Sequence, residues 1–113
     1  MSRDLPHLLD TWQAAQKIRA VTQSVTKDDF VRDEMRHAAV IYQLINVGEA
    51  TKRISIEFRQ QHSAIPWKQM AGMRDVLIHG YNDVDLELVW EAATRSIPAL
   101  IAWIEPLLPS TSE

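Results

Sequence analysis

The most chemically informative part of the sequence places an arginine, a histidine and a tyrosine within eight consecutive residues, Arg74–Tyr81. An arginine guanidinium stays charged and grips phosphate oxygens through two parallel hydrogen bonds. Histidine titrates near neutral pH and is the usual general acid or base. Arg74 and His79 are therefore candidate catalytic residues for cutting an RNA backbone without a metal. Tyr81 adds a hydroxyl that can contact substrate or accept a modification.

The spacing of this pair constrains the geometry of any site that uses it. On a regular helix, five residues correspond to about 500° of rotation, so Arg74 and His79 would point about 140° apart and differ by about 7.5 Å in rise. Gly80 can end the helix and leave His79 at a cap with a redirected side chain. A two-fold axis beside the helix can also gather both copies around one cleft. We expect both effects, and hence a homodimer.

Composition sets limits on the class of protein. The chain has 113 residues, 46% of them hydrophobic, which suits one globular domain; we predict it over residues 1–108, with a polar tail at 109–113. Cysteine is absent, which excludes disulfides and zinc–thiolate sites and fits a cytoplasmic protein. No apolar run is long enough for a membrane span. The net charge is −3, and residues 57–113 hold four Lys/Arg against eight Asp/Glu, which argues against a broad basic groove there.

Apolar residues recur with helical spacing almost throughout, and the pattern predicts an all-α bundle of four to five antiparallel helices. The predicted helices span about residues 5–21, 26–63, 67–78 and 86–104, and Pro98 should kink or split the last one. The second helix has apolar residues on more than one side, so we expect its own domain and another chain to contact it.

Around the motif, the sequence resembles the HepT-like toxins of the HEPN group of helical proteins. Their pattern is Arg, four to six residues, His, any residue and Tyr, which Arg74, His79 and Tyr81 match. Further segments are similar to the family in the same order, so the resemblance covers nearly the whole chain. These segments are Ile45–Ile54 with its Gly-Glu-Ala run, Ile65–Trp67, Met70–Arg74 and Asp83–Trp90.

The resemblance implies an all-helical homodimer with ribonuclease toxin activity and no cofactor. It also implies a partner, a nucleotidyltransferase antitoxin of the MntA type, which transfers AMP from ATP onto the motif tyrosine. Carried over, Arg74 and His79 would be the ribonuclease residues and Tyr81 the acceptor. Asp75 departs from the Asn that many HEPN ribonucleases have there; its carboxylate would orient the pair or weaken phosphate binding.

Other residues admit structural as well as functional interpretations. Glu49 lies among apolar residues and would either support an arginine of the site or form a structural ion pair. The four histidines lack the spacing of metal ligands, so no metal is expected. The four tryptophans are interpreted as core or interface anchors rather than base-stacking platforms. Two alternative functions stay open: a non-catalytic helical dimer that binds a nucleotidyltransferase, and a nucleotide-binding subunit.

Overall fold

A computed structural model of the chain describes residues 3–73 and 84–109. Numbered in chain order, its α-helices are α1 (Leu5–Thr22), α2 (Lys27–Arg32), α3 (Glu34–Lys52), α4 (Ile56–Gln61), α5 (Trp67–Ala71), α6 (Leu86–Glu91) and α7 (Ile97–Ile104). A π-helical segment, Ala92–Ser96, joins α6 to α7, and a 3-10 turn, Glu105–Leu107, follows α7. The described residues include no strand, so the predicted all-α class is confirmed for them.

The two longest helices, α1 and α3, pack side by side and run antiparallel. At one end, the Asp4 carboxylate before α1 accepts hydrogen bonds from Ser55 beyond α3, both at 2.7 Å. At the other end, Arg36 in the first turn of α3 donates from Nη1 to the Val21 carbonyl at 3.0 Å. These contacts fasten both ends of the pair, which forms one wall of the bundle.

The single long helix predicted over residues 26–63 is wrong, because the chain breaks it twice. Asp33 has extended backbone angles (φ −100°, ψ 96°), and its side chain accepts the Arg36 N–H, which starts a new helix. Ser55 does the same for α4 by accepting the Phe58 N–H at 3.2 Å. Such N-caps satisfy amide groups that a helix start leaves unpaired. When α6, the π-helical segment and α7 are counted as one helix, the described residues form six helices, whereas four or five were predicted.

The end of α3 is held by an arginine from the next helix. Arg59 of α4 donates from Nη2 to the Thr51 carbonyl at 2.8 Å and from Nε to the Ile54 carbonyl at 3.2 Å. The last carbonyls of a helix have no partner within it, and a cation suits that negative terminus. Arg59 therefore stabilises the turn between α3 and α4.

The core lies between the α1–α3 pair and the α6–α7 helix. Its most fully buried large side chains come from five helices: they are Leu8, Ile18, Phe30, Leu44, Met70, Ile97, Leu100 and Ile104. The ring of Phe30 lies 5.1 Å from that of Trp90, which brings the short α2 against α6. No helix within the described ranges is long and apolar enough to cross a membrane.

Pro98 makes the last helix irregular, at the place where a kink or a split was predicted. Proline has no N–H for the carbonyl four residues earlier, and its ring would collide with that carbonyl, which belongs to Thr94. The turn before it adopts π-helical bonding, in which the Ile97 N–H reaches back five residues to the Ala92 carbonyl. The helix continues past the proline with a local bulge instead of ending.

One face of α3 points away from the core and carries apolar side chains, which we call the outer face of α3. It includes Met35, Ala38, Ala39 and Tyr42, all of them exposed. Tyr42 keeps 63% of its surface accessible and Met35 keeps 84%. The opposite face, with Val40, packs into the core.

Candidate functional site

The predicted catalytic motif lies outside the described residues. This applies to each of its candidate residues, which are Arg74, Asp75, His79 and Tyr81. The described chain frames the motif on both sides. Helix α5 leads up to Arg74, and the start of α6 follows the motif.

Helix α5 is anchored into the core just before the motif. Trp67 at its start is 5% exposed, and its indole N–H donates to the His62 carbonyl at 2.9 Å. The ring of Phe58 packs edge-on against Trp67, with centroids 6.0 Å apart. One turn later, Met70 is also buried. A buried tryptophan with a satisfied N–H holds its element in a defined position.

The third helix was expected to run to about residue 78, but α5 ends at Ala71. Gly72 caps it, donating its N–H to the Lys68 carbonyl at 3.0 Å, and Met73 is again helical. Glycine is a poor helix former because it loses the most backbone freedom on folding. The helical approach to Arg74 is thus interrupted two residues before the arginine.

After the motif in sequence, Asp85 caps α6. Its carboxylate accepts the Glu87 N–H at 2.9 Å and the Leu88 N–H at 3.4 Å. Glu87 also forms an ion pair with Lys27 of α2 and raises the pKa of that lysine through a hydrogen bond. The chain therefore leaves the motif at a defined helix start that α2 helps to position.

Two adjoining cavities, each of about 230 Å³, open beside α5. Both are lined by Gln69, Met73 and Ser96, so they form one depression between α5 and the helix α6–α7, which we call the α5 groove. One cavity, which we call the first end of the groove, is also lined by Arg95, Leu100 and Trp103. The other cavity, the second end, is also lined by Leu44, Leu88 and Glu91. Met73, the last described residue before the motif, thus lines both parts of the groove.

The π-helical segment supplies one wall of this groove. Arg95 and Ser96 both belong to it, and Pro98 lies two residues beyond. Single π turns inside α-helices occur frequently at functional sites, since they shift side chains out of the regular helical register. The proline that the sequence marks as a helix breaker thus closely follows two groove-lining residues in the chain.

Glu49, the described candidate for a supporting role, lies on another side of α3. It lines a polar cavity between α1 and α3, together with Asp10, Gln13, Lys17, Gln43, Asn46 and Arg53. The α3 residue that lines the α5 groove is instead Leu44. Glu49 has an interaction partner. Its support of an arginine of the motif stays a prediction.

Three residues of the groove were not singled out as functional from the sequence: Gln69, Arg95 and Trp103. Trp103 was interpreted as a core or interface anchor; 40% of its surface is exposed, so it is not a core residue, and it lines the groove. The sequence feature that could have pointed to these residues was Pro98, because a proline within a helical pattern marks an irregular turn. Within residues 3–73 and 84–109, no three His, Asp or Glu side chains form a group that could hold a metal ion.

Comparison with known proteins assigns the chain to a family. The family described as "Ribonuclease HepT-like" matches residues 12–107. A protein of Caldanaerobacter subterraneus subsp. tengcongensis named "Putative RNase TTE0752" is 35% identical over 108 residues, covering 96% of each chain. A Thermococcus cleftensis protein named "Probable ribonuclease HepT" is 39% identical over 101 residues, covering 89% of this chain and 92% of its own.

No solved structure matches the chain. The sequence matches are sufficient for the family, since they span almost the whole length of both partners. They confirm the expected class of enzyme, a ribonuclease, and the expected resemblance. The matched range includes the frame of the motif and the α5 groove as well as the motif itself. This chain belongs to the HepT-like ribonuclease family.

Proposed function

We propose that this chain is the toxin of a toxin–antitoxin pair and acts as a metal-independent RNA endonuclease with Arg74 and His79 as its catalytic residues. The observation that carries the proposal is the family match over residues 12–107, which includes the Arg-x4-His-x-Tyr motif. The site of action is the cytoplasm, where cellular RNA is available. The proposal includes a single domain that extends over residues 1–108.

The proposed reaction uses the 2′-hydroxyl of the RNA next to the cleaved bond. His79 removes the hydroxyl proton, and the resulting oxygen attacks the adjacent phosphorus. The bond to the 5′-oxygen breaks, and that oxygen takes a proton from a second His79 across the dimer. Arg74 stabilises the negative charge that builds on the phosphate oxygens. DNA lacks the attacking hydroxyl and would be spared.

The homodimer in this proposal is supported by the outer face of α3. Met35 and Tyr42 are large side chains left exposed on a helix whose opposite face is fully packed. Ala38 and Ala39 between them allow another helix to approach closely. Contiguous apolar surface of this kind marks interaction sites. A second copy meeting this face across a two-fold axis would bury it in both protomers.

The partner in this proposal is a nucleotidyltransferase antitoxin of the MntA type that adds AMP to Tyr81. The added group would place bulk and a negative phosphate two residues from His79, where it would repel RNA. The pair would be of type VII if modification neutralises the toxin, and of type II if binding alone does so. Asp75 would modulate the strength of phosphate binding at Arg74.

Two measurements test this proposal. In the first, purified wild type should cut single-stranded RNA in the presence of EDTA, whereas His79→Ala and Arg74→Ala should lose cleavage. Arg19→Ala, which removes an exposed arginine of α1, is the matched control and should cut normally. Equal cleavage by all four proteins would mean that the activity does not depend on Arg74 or His79 and would refute their assignment.

The second measurement is the intact mass of the chain after co-expression with the nucleotidyltransferase encoded beside it. An AMP-sized increment that disappears in Tyr81→Phe supports modification at Tyr81. A chain that binds that partner but never cuts RNA would instead identify a non-catalytic binding dimer.

A further inference from the structure

The α5 groove has the lining expected for one nucleotide of single-stranded RNA. Flat apolar surface for a base, a carboxamide for its edge and a cation for a phosphate are the three recurring parts of such subsites. Trp103, Gln69 and Arg95 supply one part each at the first end of the groove. The inference developed from this lining rests on the ribonuclease function proposed above.

Trp103 differs from the other large apolar residues of its helix in being partly exposed. The other large apolar residues of α7, among them Ile97, Leu100 and Ile104, are fully buried. Trp103 keeps 40% of its surface accessible and borders a cavity rather than a flat surface. A scattered exposed apolar side chain needs no explanation, but a tryptophan at the wall of a concave site offers a face on which a base can stack.

Arg95 is available to a phosphate. Its guanidinium Nε lies 3.6 Å from the Glu91 carboxylate, and the two side chains are 80% and 59% exposed. An exposed pair of this kind contributes little stability, so the guanidinium can turn to a phosphate at small cost. Arginine also binds phosphate with two parallel hydrogen bonds, whereas its contact to Glu91 is long.

The cation and the carboxylate line different ends of the groove. Glu91 lines the second end, next to Leu44 and Leu88, whereas Arg95 and Trp103 line the first end. An Arg95 side chain that turns from Glu91 to a phosphate therefore binds that phosphate at the first end. Met73, which directly precedes Arg74 in the sequence, lines both ends.

We propose that the first end of the α5 groove is a nucleotide subsite that binds a residue of the substrate RNA flanking the cleaved bond. Trp103 stacks on the base, Gln69 hydrogen-bonds its edge and Arg95 binds its phosphate. None of these side chains takes part in bond breaking; they position the strand. The carboxamide of Gln69 carries both a donor and an acceptor, so it gives this subsite a base preference.

The test measures cleavage and binding of one fluorescent single-stranded RNA oligonucleotide by full-length variants. Cleavage yields kcat and KM for wild type, Trp103→Ala, Trp103→Phe and Arg95→Ala. Fluorescence anisotropy yields Kd for the same changes placed in His79→Ala, so that the RNA stays intact. The matched controls are Ile56→Ala, an exposed apolar residue of α4, and Arg19→Ala, an exposed arginine of α1.

We expect Trp103→Ala and Arg95→Ala to raise both KM and Kd by about tenfold, with kcat changed by less than about twofold. Trp103→Phe should restore most of the affinity, because it keeps an aromatic face. Groove variants that match the two controls in Kd would overturn the subsite, even when wild type cuts RNA. A Trp103→Ala variant that no longer binds the antitoxin but keeps its affinity for RNA would also overturn the subsite, and would identify the groove as a protein-docking surface.

The two proposals fail separately. If wild type never cuts RNA but Trp103→Ala still weakens RNA binding, the catalytic proposal falls and the nucleotide subsite stands. If wild type cuts RNA with an unchanged KM in every groove variant, the subsite falls and the ribonuclease assignment stands.

Discussion

The Asp4 carboxylate accepts two hydrogen bonds from Ser55, one from the backbone N–H and one from the hydroxyl, each 2.7 Å long. The two residues are 51 positions apart in sequence, at the start of α1 and at the cap of α4. Burial by itself would raise the pKa of Asp4, but the Ser55 hydrogen bonds, with Arg3 and His7 nearby, bring the pKa below its ordinary value. The ionised carboxylate therefore holds the start of α1 against the segment that follows α3.

Replacing Asp4 by alanine should destabilise the fold by about 2 kcal/mol at pH 7, because it leaves two Ser55 donors without an acceptor. A carboxyl whose folded pKa is lowered contributes stability above its unfolded pKa, about 3.9, and loses it as pH falls through the folded value. The gap in urea midpoint between wild type and Asp4→Ala should thus stay constant near neutrality and close below about pH 4. Asp10→Ala, an exposed carboxylate of α1, should change the midpoint little. A gap that persists undiminished in acid would contradict the role of the ionised form.

An arginine in place of Tyr42 should separate the proposed dimer into folded monomers that no longer cut RNA. The charge would be buried without a partner in the interface but solvated in the monomer. Light scattering after size exclusion gives the oligomeric state, circular dichroism gives the fold, and a cleavage assay gives activity. Ile56→Arg is the control, since Ile56 is 68% exposed on α4 and lies off the outer face of α3. A monomer that cuts as fast as wild type would show that the dimer is unnecessary for catalysis.

Arg59→Ala should lower the free energy of unfolding by about 1–2 kcal/mol, because the carbonyls of Thr51 and Ile54 lose their charged donor. Thermal unfolding followed by circular dichroism measures the loss. Arg32→Ala removes an exposed arginine from the end of α2 and should cost less than about 0.5 kcal/mol. Equal losses for the two variants would mean that the α3 terminus needs no cap from α4.

Replacing Pro98 by alanine should raise the thermal midpoint and weaken RNA binding at the same time. Alanine restores an N–H for the Thr94 carbonyl and is the best helix former, so the π turn can relax to regular α-helix. Relaxation would rotate Arg95 and Ser96 away from the α5 groove. The measurements are the unfolding midpoint and the Kd for RNA in the His79→Ala background. Pro106→Ala, at the 3-10 turn, is the control; a Pro98→Ala protein with wild-type Kd would separate the π turn from RNA binding.

Several features followed from the sequence because their causes are local. Periodic apolar residues predicted α1, the last helix from residue 86 and the helical class, and Pro98 predicted an irregularity in that last helix. Proline geometry and side-chain caps act within one turn, so they can be read without knowing the fold. The motif Arg74, His79 and Tyr81 is likewise a local pattern, and its catalytic role stays a prediction.

Tertiary structure decided what depends on distant contacts. Apolar periodicity continues from residue 26 to 63 and predicted one long helix, but the chain breaks at Asp33 and before Ser55. The second break is stabilised by groups that approach in space: Asp4 reaches Ser55 from 51 positions away, and Arg59 folds back onto the end of α3. The α5 groove arises in the same way, because Met73 and Trp103 come to line one cavity only when the chain has folded. Periodicity reports which face of a helix is apolar, whereas the partner that covers it is chosen by packing of the whole chain.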